Sequence, residues 1–242
     1  MNFFRKLISW CIYKIINRGL SESISFSHLY KKKILDFIFE KQFKDRAIYA
    51  PHKKEYYKLC CDYLMKHNNR LNLEFGVGSG ETGWILSNNL NNEKIYGFDS
   101  FNGFKNDLVE NDFWHSFNLK FKNRKIPKMP LNYIIINGFV EDTLDNFDKN
   151  IFAKFNYKHI FAHIDLDIYE PTKKVLSFIK LKKIKSFLMF DEFTNYPEFE
   201  CHQFRAFYEE IYCDHIEFKI RFFCNSNNQR FGHLTKYFIE IN

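Results

Sequence analysis

Proline and glycine are scarce in this chain, at 5 and 9 of 242 residues, which argues against long disordered or low-complexity tracts. Paired cysteine motifs are missing. None of Cys11, Cys60, Cys61, Cys201, Cys213 and Cys224 stands at the C-x-x-C spacing of zinc or redox sites. The six read as reduced thiols, mostly buried, in a cytoplasmic protein. Long apolar runs are lacking as well: the longest, 7–13, falls far short of the roughly 20 residues of a membrane span. No small-residue cleavage site follows it. Concentrated charge of one sign is also absent. Lys and Arg number 36 against 29 for Asp and Glu, a net +7, yet apart from runs at 31–33 and 180–185 the basic residues are scattered. With no aromatics interleaved in a basic stripe, nucleic acid is not an expected partner.

What is present suits one α/β domain of ordinary size with a short extension. Hydrophobic residues make up 45% and aromatics 19%, including 30 Phe, enough to bury a full core. The expected division is a helical extension or lid over 1–50 and a catalytic domain over 51–242. Residues 1–17 fit a helix that is apolar over most of its surface, with basic residues at its margins. Such a helix must cover its own domain, a partner subunit or a membrane surface. Peripheral membrane contact through 1–18 and homo-oligomerisation therefore both stay open.

The chain is organised around Leu71-Asn-Leu-Glu-Phe-Gly-Val-Gly-Ser-Gly-Glu-Thr-Gly-Trp-Ile-Leu-Ser87, an apolar strand running into a glycine turn and a helix. Gly76, Gly78 and Gly80 remove side chains where the backbone turns and a ligand comes close. Glu74 is expected to face the same turn, where a carboxylate repels a pyrophosphate and suits the amino group of S-adenosylmethionine. The run from Gly78 to Gly83 also satisfies the dinucleotide fingerprint G-x-G-x-x-G. Asp99 ends the next strand, 19 positions beyond Gly80, and a carboxylate there accepts ribose hydroxyls in either cofactor class.

Further along, a helix is expected over 53–67, a substrate loop over 105–130, a buried strand over 132–137, and strands over 160–165 and 187–191. Each of the last two is followed by a helix, over 170–179 and 202–212. Strands over 216–224 and 234–241 flank a turn at 225–229. This alternation predicts a doubly wound, mostly parallel sheet that ends in an antiparallel hairpin. In such a sheet Glu74, Asp99, Asp165, Asp167, Asp191 and Glu192 all fall at strand carboxyl ends. So much negative charge calls for a cation, and Asp165, Asp191 and Glu192 are the expected ligands of Mg²⁺ or another hard divalent ion. Asp167 is then the expected general base. His163 reads as a satisfied core histidine, and His115 and His202 as residues nearer the substrate.

Glu74-Phe-Gly-Val-Gly-Ser-Gly80, Tyr96-Gly-Phe-Asp-Ser-Phe-Asn-Gly-Phe104, Gly138-Phe-Val-Glu-Asp-Thr-Leu144, His163-Ile-Asp-Leu-Asp-Ile-Tyr-Glu-Pro-Thr172 and Phe190-Asp-Glu192 occur in this order. Together they resemble the macrocin O-methyltransferase family, metal-dependent sugar O-methyltransferases of class I. The resemblance covers roughly half the chain. It implies a Rossmann-like fold, S-adenosylmethionine on the glycines with Asp99 and Ser100, and Glu141 or Asp142 near the adenine. It also implies Mg²⁺ on Asp165 and the pair 191 and 192, with Asp167 as base. Leu166 stands where many members have Gly, and Glu192 replaces the second Asp of the pair. The expected activity is methylation of a hydroxyl on a sugar or glycosylated metabolite. The alternatives are an NAD(P)-dependent sugar oxidoreductase and a non-catalytic cofactor-binding accessory protein.

Overall fold

The computed structural model describes residues 24–105, 121–196, 198–228 and 232–242. The helix expected over 1–17, His115 and part of the 105–130 segment lie outside them. The chain divides into a short unit, 1–41, and a larger one, 42–242. Helix α1 (Ile24–Asp45) begins in the first and ends in the second. Among the described residues no helix is long and apolar enough to cross a membrane.

In the larger unit the elements run β1 (Ile48–Tyr49), α2 (Lys53–Leu64), β2 (Arg70–Phe75), α3 (Glu81–Asn89), β3 (Ile95–Asp99), β4 (Tyr133–Asn137) and α4 (Val140–Asn150). They continue through β5 (His159–Ile164), α5 (Tyr169–Lys182), β6 (Lys185–Thr194), α6 (Gln203–Phe207), β7 (Phe218–Asn228) and β8 (Gly232–Ile241). One sheet holds all eight strands in the order β1-β7-β8-β6-β5-β2-β3-β4. From β2 the chain steps outward through β3 to β4, then returns to lay β5 and β6 on the other side of β2. That reversal puts the topological switch point between β2 and β5, where open parallel sheets bind ligands. The sheet is parallel except that β8 runs antiparallel to both β6 and β7, in agreement with the expected doubly wound fold and terminal hairpin.

Two expectations are corrected. The strand over 132–137 is not buried: β4 is the sheet edge, and of its five residues only Tyr133 is enclosed. Its run of isoleucines fits an edge strand as well as a central one, since β-branched residues favour the pleat wherever it lies. The helix over 202–212 is shorter, because α6 widens after Phe207 into a π-type turn over Tyr208–Tyr212.

Strand periodicity sorts side chains between two faces. On one face Tyr56, Tyr57, Cys60, Cys61 and Leu64 of α2 pack with Leu86 of α3 over Phe161, Phe187, Met189 and Phe238. Glu240 of β8 fastens this layer at its lower end. It accepts hydrogen bonds from Tyr63 (2.6 Å) and Arg221 (2.7 Å) and pairs with Lys185, so one carboxylate ties α2 to β6, β7 and β8. Burial alone would raise the Glu240 pKa. The hydrogen bonds from Arg221, Lys185 and Tyr63 overcome it and bring the value down to about 2.

A folded pKa below the unfolded value of about 4.3 contributes stability that is complete above about pH 5 and fades as pH falls toward 2. With its partners about a third exposed to solvent, the contribution is on the order of 2 kcal/mol. Glu240→Gln is expected to lower the unfolding free energy from urea titration at pH 7 by that amount, and the difference from the parent should shrink steadily in unfolding curves taken down to pH 3.

Candidate active site

The carboxyl ends of β2, β3, β5 and β6 open into a cavity of about 620 Å³. Its floor is the turn after β2. Gly76 adopts φ +90°, and a methyl group there would lie 1.9 Å from the Asp165 carbonyl oxygen. Gly76 is thus required by the close approach of β5. Gly78, at φ +55°, has open space beside it, with only Arg124 Nη1 at 3.8 Å from the place a methyl group would take. A ligand can reach the backbone there.

Asp99 holds this turn. Its Oδ2 accepts from the amides of Val77 (3.0 Å) and Gly78 (2.7 Å), and its Oδ1 from the amide of Phe101 (2.7 Å). Two of the loop amides that could cradle a phosphate are therefore already satisfied by a carboxylate. Gly80, just before α3, is covered as well, while Glu81 and Thr82 line the cavity. At Gly80 an added methyl group would meet Met129 Sδ at 2.7 Å and Pro127 at 3.3 Å, and Trp84 Nε1 donates to the Lys128 carbonyl at 3.1 Å.

Of the residues expected from the sequence, Gly76, Gly78, Asp99, Ser100, Glu141, Asp165, Asp167, Asp191 and Glu192 line the cavity. Glu74, Gly80 and Asp142 do not. Asp142 is exposed and pairs with Lys105 at 2.7 Å, while Gly80 lies under the 127–129 segment. Glu74 is wholly buried: its Oε2 accepts the Tyr133 hydroxyl and its Oε1 lies 3.3 Å from His163 Nδ1. The sequence places a carboxylate at this strand end, but period two in register with β5 turns it inward beneath α3, opposite His163.

Glu74 belongs to a row of charged and polar groups on the α2–α3 face. Tyr133 reaches it across β3, where Gly97 makes room; a methyl group on Gly97 would lie 2.0 Å from the Tyr133 hydroxyl. Beyond Glu74 stands His163, fully buried, with its Nε2 3.9 Å from Asp191 Oδ1. Asp191 in turn accepts the Tyr57 hydroxyl at 3.2 Å and forms an ion pair with Lys236 of β8. The Lys236 ammonium also donates to the Asp191 carbonyl at 3.0 Å. Burial alone would lower the His163 pKa, but its contacts with Asp191 and Glu74 push it up to about 9, so the ring carries a proton near neutrality. Burial would likewise raise Asp191; Lys236 and His163 hold it well below the usual carboxylate range. Asp165 goes the other way. Burial and the Asp191 charge push its carboxyl up to about 7, against the lowering pull of His163 and Lys236.

Asp165, Asp191 and Glu192, the expected metal ligands, all reach the cavity, and Asp191 Oδ1 is ion-paired with the Lys236 ammonium. Among the described residues no three acidic, histidine or cysteine side chains converge as metal ligands would. The donor set does not fit a divalent ion beside a resident cation. Asp167, the expected base, has φ +58° and is bridged by a tight turn in which the Ile168 amide donates to the Leu166 carbonyl at 2.6 Å. A non-glycine residue held this way stores on the order of 1–3 kcal/mol. His202 does not line the cavity, and burial together with Arg205 lowers its pKa to about 4. Sequence reasoning missed Lys53, Arg124 and Lys236 on the cavity wall. For Lys236 a signal existed: a lysine within the apolar run from Leu234 to Ile241 cannot be buried without a carboxylate to meet it.

No family model matches the chain, and no curated protein does. Among solved structures, it is similar to an O-methyltransferase from Bacillus cereus in complex with SAH, with 12% identity, coverage of 95% of this chain and 96% of that one, and a TM-score of 0.47. The O-methyltransferase TomG from Streptomyces achromogenes, in complex with SAM, gives 12%, coverage of 77% and 79%, and 0.47. Precorrin-6y C5,15-methyltransferase from Geobacter metallireducens gives 12%, coverage of 79% and 92%, and 0.42.

The crossing of Tyr133 over Gly97 is open to a double-mutant cycle. Gly97→Ala is expected to cost about 2–3 kcal/mol by overpacking, read from the urea midpoint. In a Tyr133→Ala background the same change should cost less than about 1 kcal/mol, because the clash and its coupling are gone.

Proposed function

We propose that the chain is an S-adenosylmethionine-dependent O-methyltransferase that methylates a hydroxyl of a sugar or glycosylated metabolite. The observation that carries this reading is the use of the loop amides. With Val77 and Gly78 already donating to Asp99, two of the loop amides that a dinucleotide pyrophosphate would use are engaged. A sulfonium cofactor needs none. Its positive charge suits a cavity lined by Asp99, Glu141, Asp165, Asp167, Asp191 and Glu192. This replaces the discrimination expected of Glu74, whose charge is spent on His163.

Asp99 retains a lone pair for ribose hydroxyls beside its three backbone contacts. Arg124, whose guanidinium stacks at 4.1 Å on the Phe121 ring and lies toward Gly78, is the cation placed for the methionine carboxylate. In the reaction the acceptor oxygen attacks the methyl carbon. The carbon–oxygen bond forms as the carbon–sulfur bond breaks, its electron pair goes to sulfur, and the hydroxyl proton passes to a carboxylate. Asp167 and Asp165 both line the cavity; burial and the Asp191 charge raise the Asp165 carboxyl, the direction that makes a carboxylate a stronger base. Alignment of oxygen, methyl and sulfur supplies most of the remaining catalysis. The sugar acceptor rests on the sequence resemblance at 163–172, and no divalent ion enters the proposal.

Calorimetric titration with S-adenosylhomocysteine, run beside NAD⁺ and NADP⁺, tests the donor. The homocysteine product alone should bind. Heat from a nicotinamide nucleotide with none from S-adenosylhomocysteine would refute the methyltransferase reading. Asp99→Ala is expected to weaken S-adenosylhomocysteine by tenfold or more, about 1.4 kcal/mol or above, since both the loop and a ribose acceptor are lost.

A further inference from the structure

The acids at the cavity rim call for positive charge, and the fold provides it from within. Lys236 is 3% exposed, its ammonium is bound to both the carboxylate and the carbonyl of Asp191, and it lines the cavity wall. Its partner is met from two further directions. Tyr57 of α2, itself 3.4 Å from Thr82 of α3, donates to Asp191 Oδ1, and His163 approaches from β5. Glu74 and Asp191 are thus matched by His163 and Lys236, two carboxylates by two cations. Only Asp165 and the rim acids remain to be balanced.

A divalent ion bound at Asp191 would sit against the Lys236 ammonium. Like charges at contact distance repel strongly inside a protein, and the repulsion is twice as large for a dication as for a monovalent cation. Moving the lysine aside would strand its charge without the carboxylate that meets it. Phe190 pairs with Tyr237 just before the register shifts between Phe190 and Thr194, and at the start of that irregular stretch Lys236 reaches both the carboxylate and the carbonyl of Asp191.

We propose that Lys236 is the resident cation of the active site, standing where the resemblance puts a divalent metal, so that the enzyme works without one. This rests on the methyltransferase reading. In that setting the Lys236 ammonium presents positive charge to the acceptor oxygen, favouring its deprotonated form as the proton leaves for Asp165 or Asp167.

The test is Mn²⁺ binding to the full-length protein, followed by electron paramagnetic resonance, with S-adenosylhomocysteine titrated in parallel in the presence and absence of EDTA. The parent protein should leave Mn²⁺ free through the micromolar range and bind S-adenosylhomocysteine equally well with EDTA. Lys236→Met, which keeps the length and removes the charge, should gain Mn²⁺ affinity by about tenfold or more as the repulsion is lifted. Lys236→Arg should behave as the parent, a contrast that a purely structural lysine would not produce. One Mn²⁺ per parent chain bound at micromolar concentration would overturn the proposal. So would a folded Lys236→Met protein with unchanged Mn²⁺ affinity. If Lys236→Met does not fold, the parent and Lys236→Arg measurements still decide. Failure of S-adenosylhomocysteine to bind any of these proteins would instead remove the donor reading, leaving the metal result to stand by itself.

Discussion

A buried row of charge runs across the sheet beneath α2 and α3: Tyr133, Glu74, His163, Asp191 and Lys236, one after another from β4 to β8. Each member is tolerable only because its neighbours are present. Removing one partner from such a row leaves an uncompensated charge, which costs about 3–5 kcal/mol, while the complete row costs far less. The row accounts for local choices that look arbitrary one at a time. Gly97 is glycine so that Tyr133 can cross β3, and at Gly83 a methyl group would lie 2.5 Å from Met129 Cε, 2.7 Å from the Tyr133 ring and 2.8 Å from Glu74 Oε2. Asp191 ends inside the cavity with its charge already assigned.

The row also sets the chemistry of the rim. Two cations near Asp191 hold it ionised, and that fixed negative charge, with burial, raises Asp165 to about 7. Burial and the Asp191 charge raise the Asp165 carboxyl, while Lys236 and His163 lower Asp191, so the surroundings act on the two acids in opposite directions. On the far side of the cavity Asp99 makes a comparable commitment. By taking the Val77 and Gly78 amides it ties the turn to β3 and leaves fewer loop amides for a phosphate.

The architecture was legible from the sequence because apolar strands alternated with amphipathic helices and glycine punctuated the first crossover. Which strand lay at an edge was not, since the isoleucines of β4 carry no sign of their neighbours. The glycine turn and Asp99 were found by motif. Glu74, however, was assigned to the ligand because it stands next to the turn in sequence, and nothing local reveals that register with His163 rotates it into the interior.

The sequence by itself determined that carboxylates would gather at the ends of parallel strands, because strand order and strand length put those residues there in any doubly wound sheet. It determined that a cation had to answer them. Only the tertiary structure decided which cation: Lys236 lies 45 residues from Asp191 in the chain, on a strand inserted antiparallel beside β6, and no spacing rule connects the two. Charge compensation acts through space, so the partner of a buried acid is set by the register of strands that fold together last in sequence order.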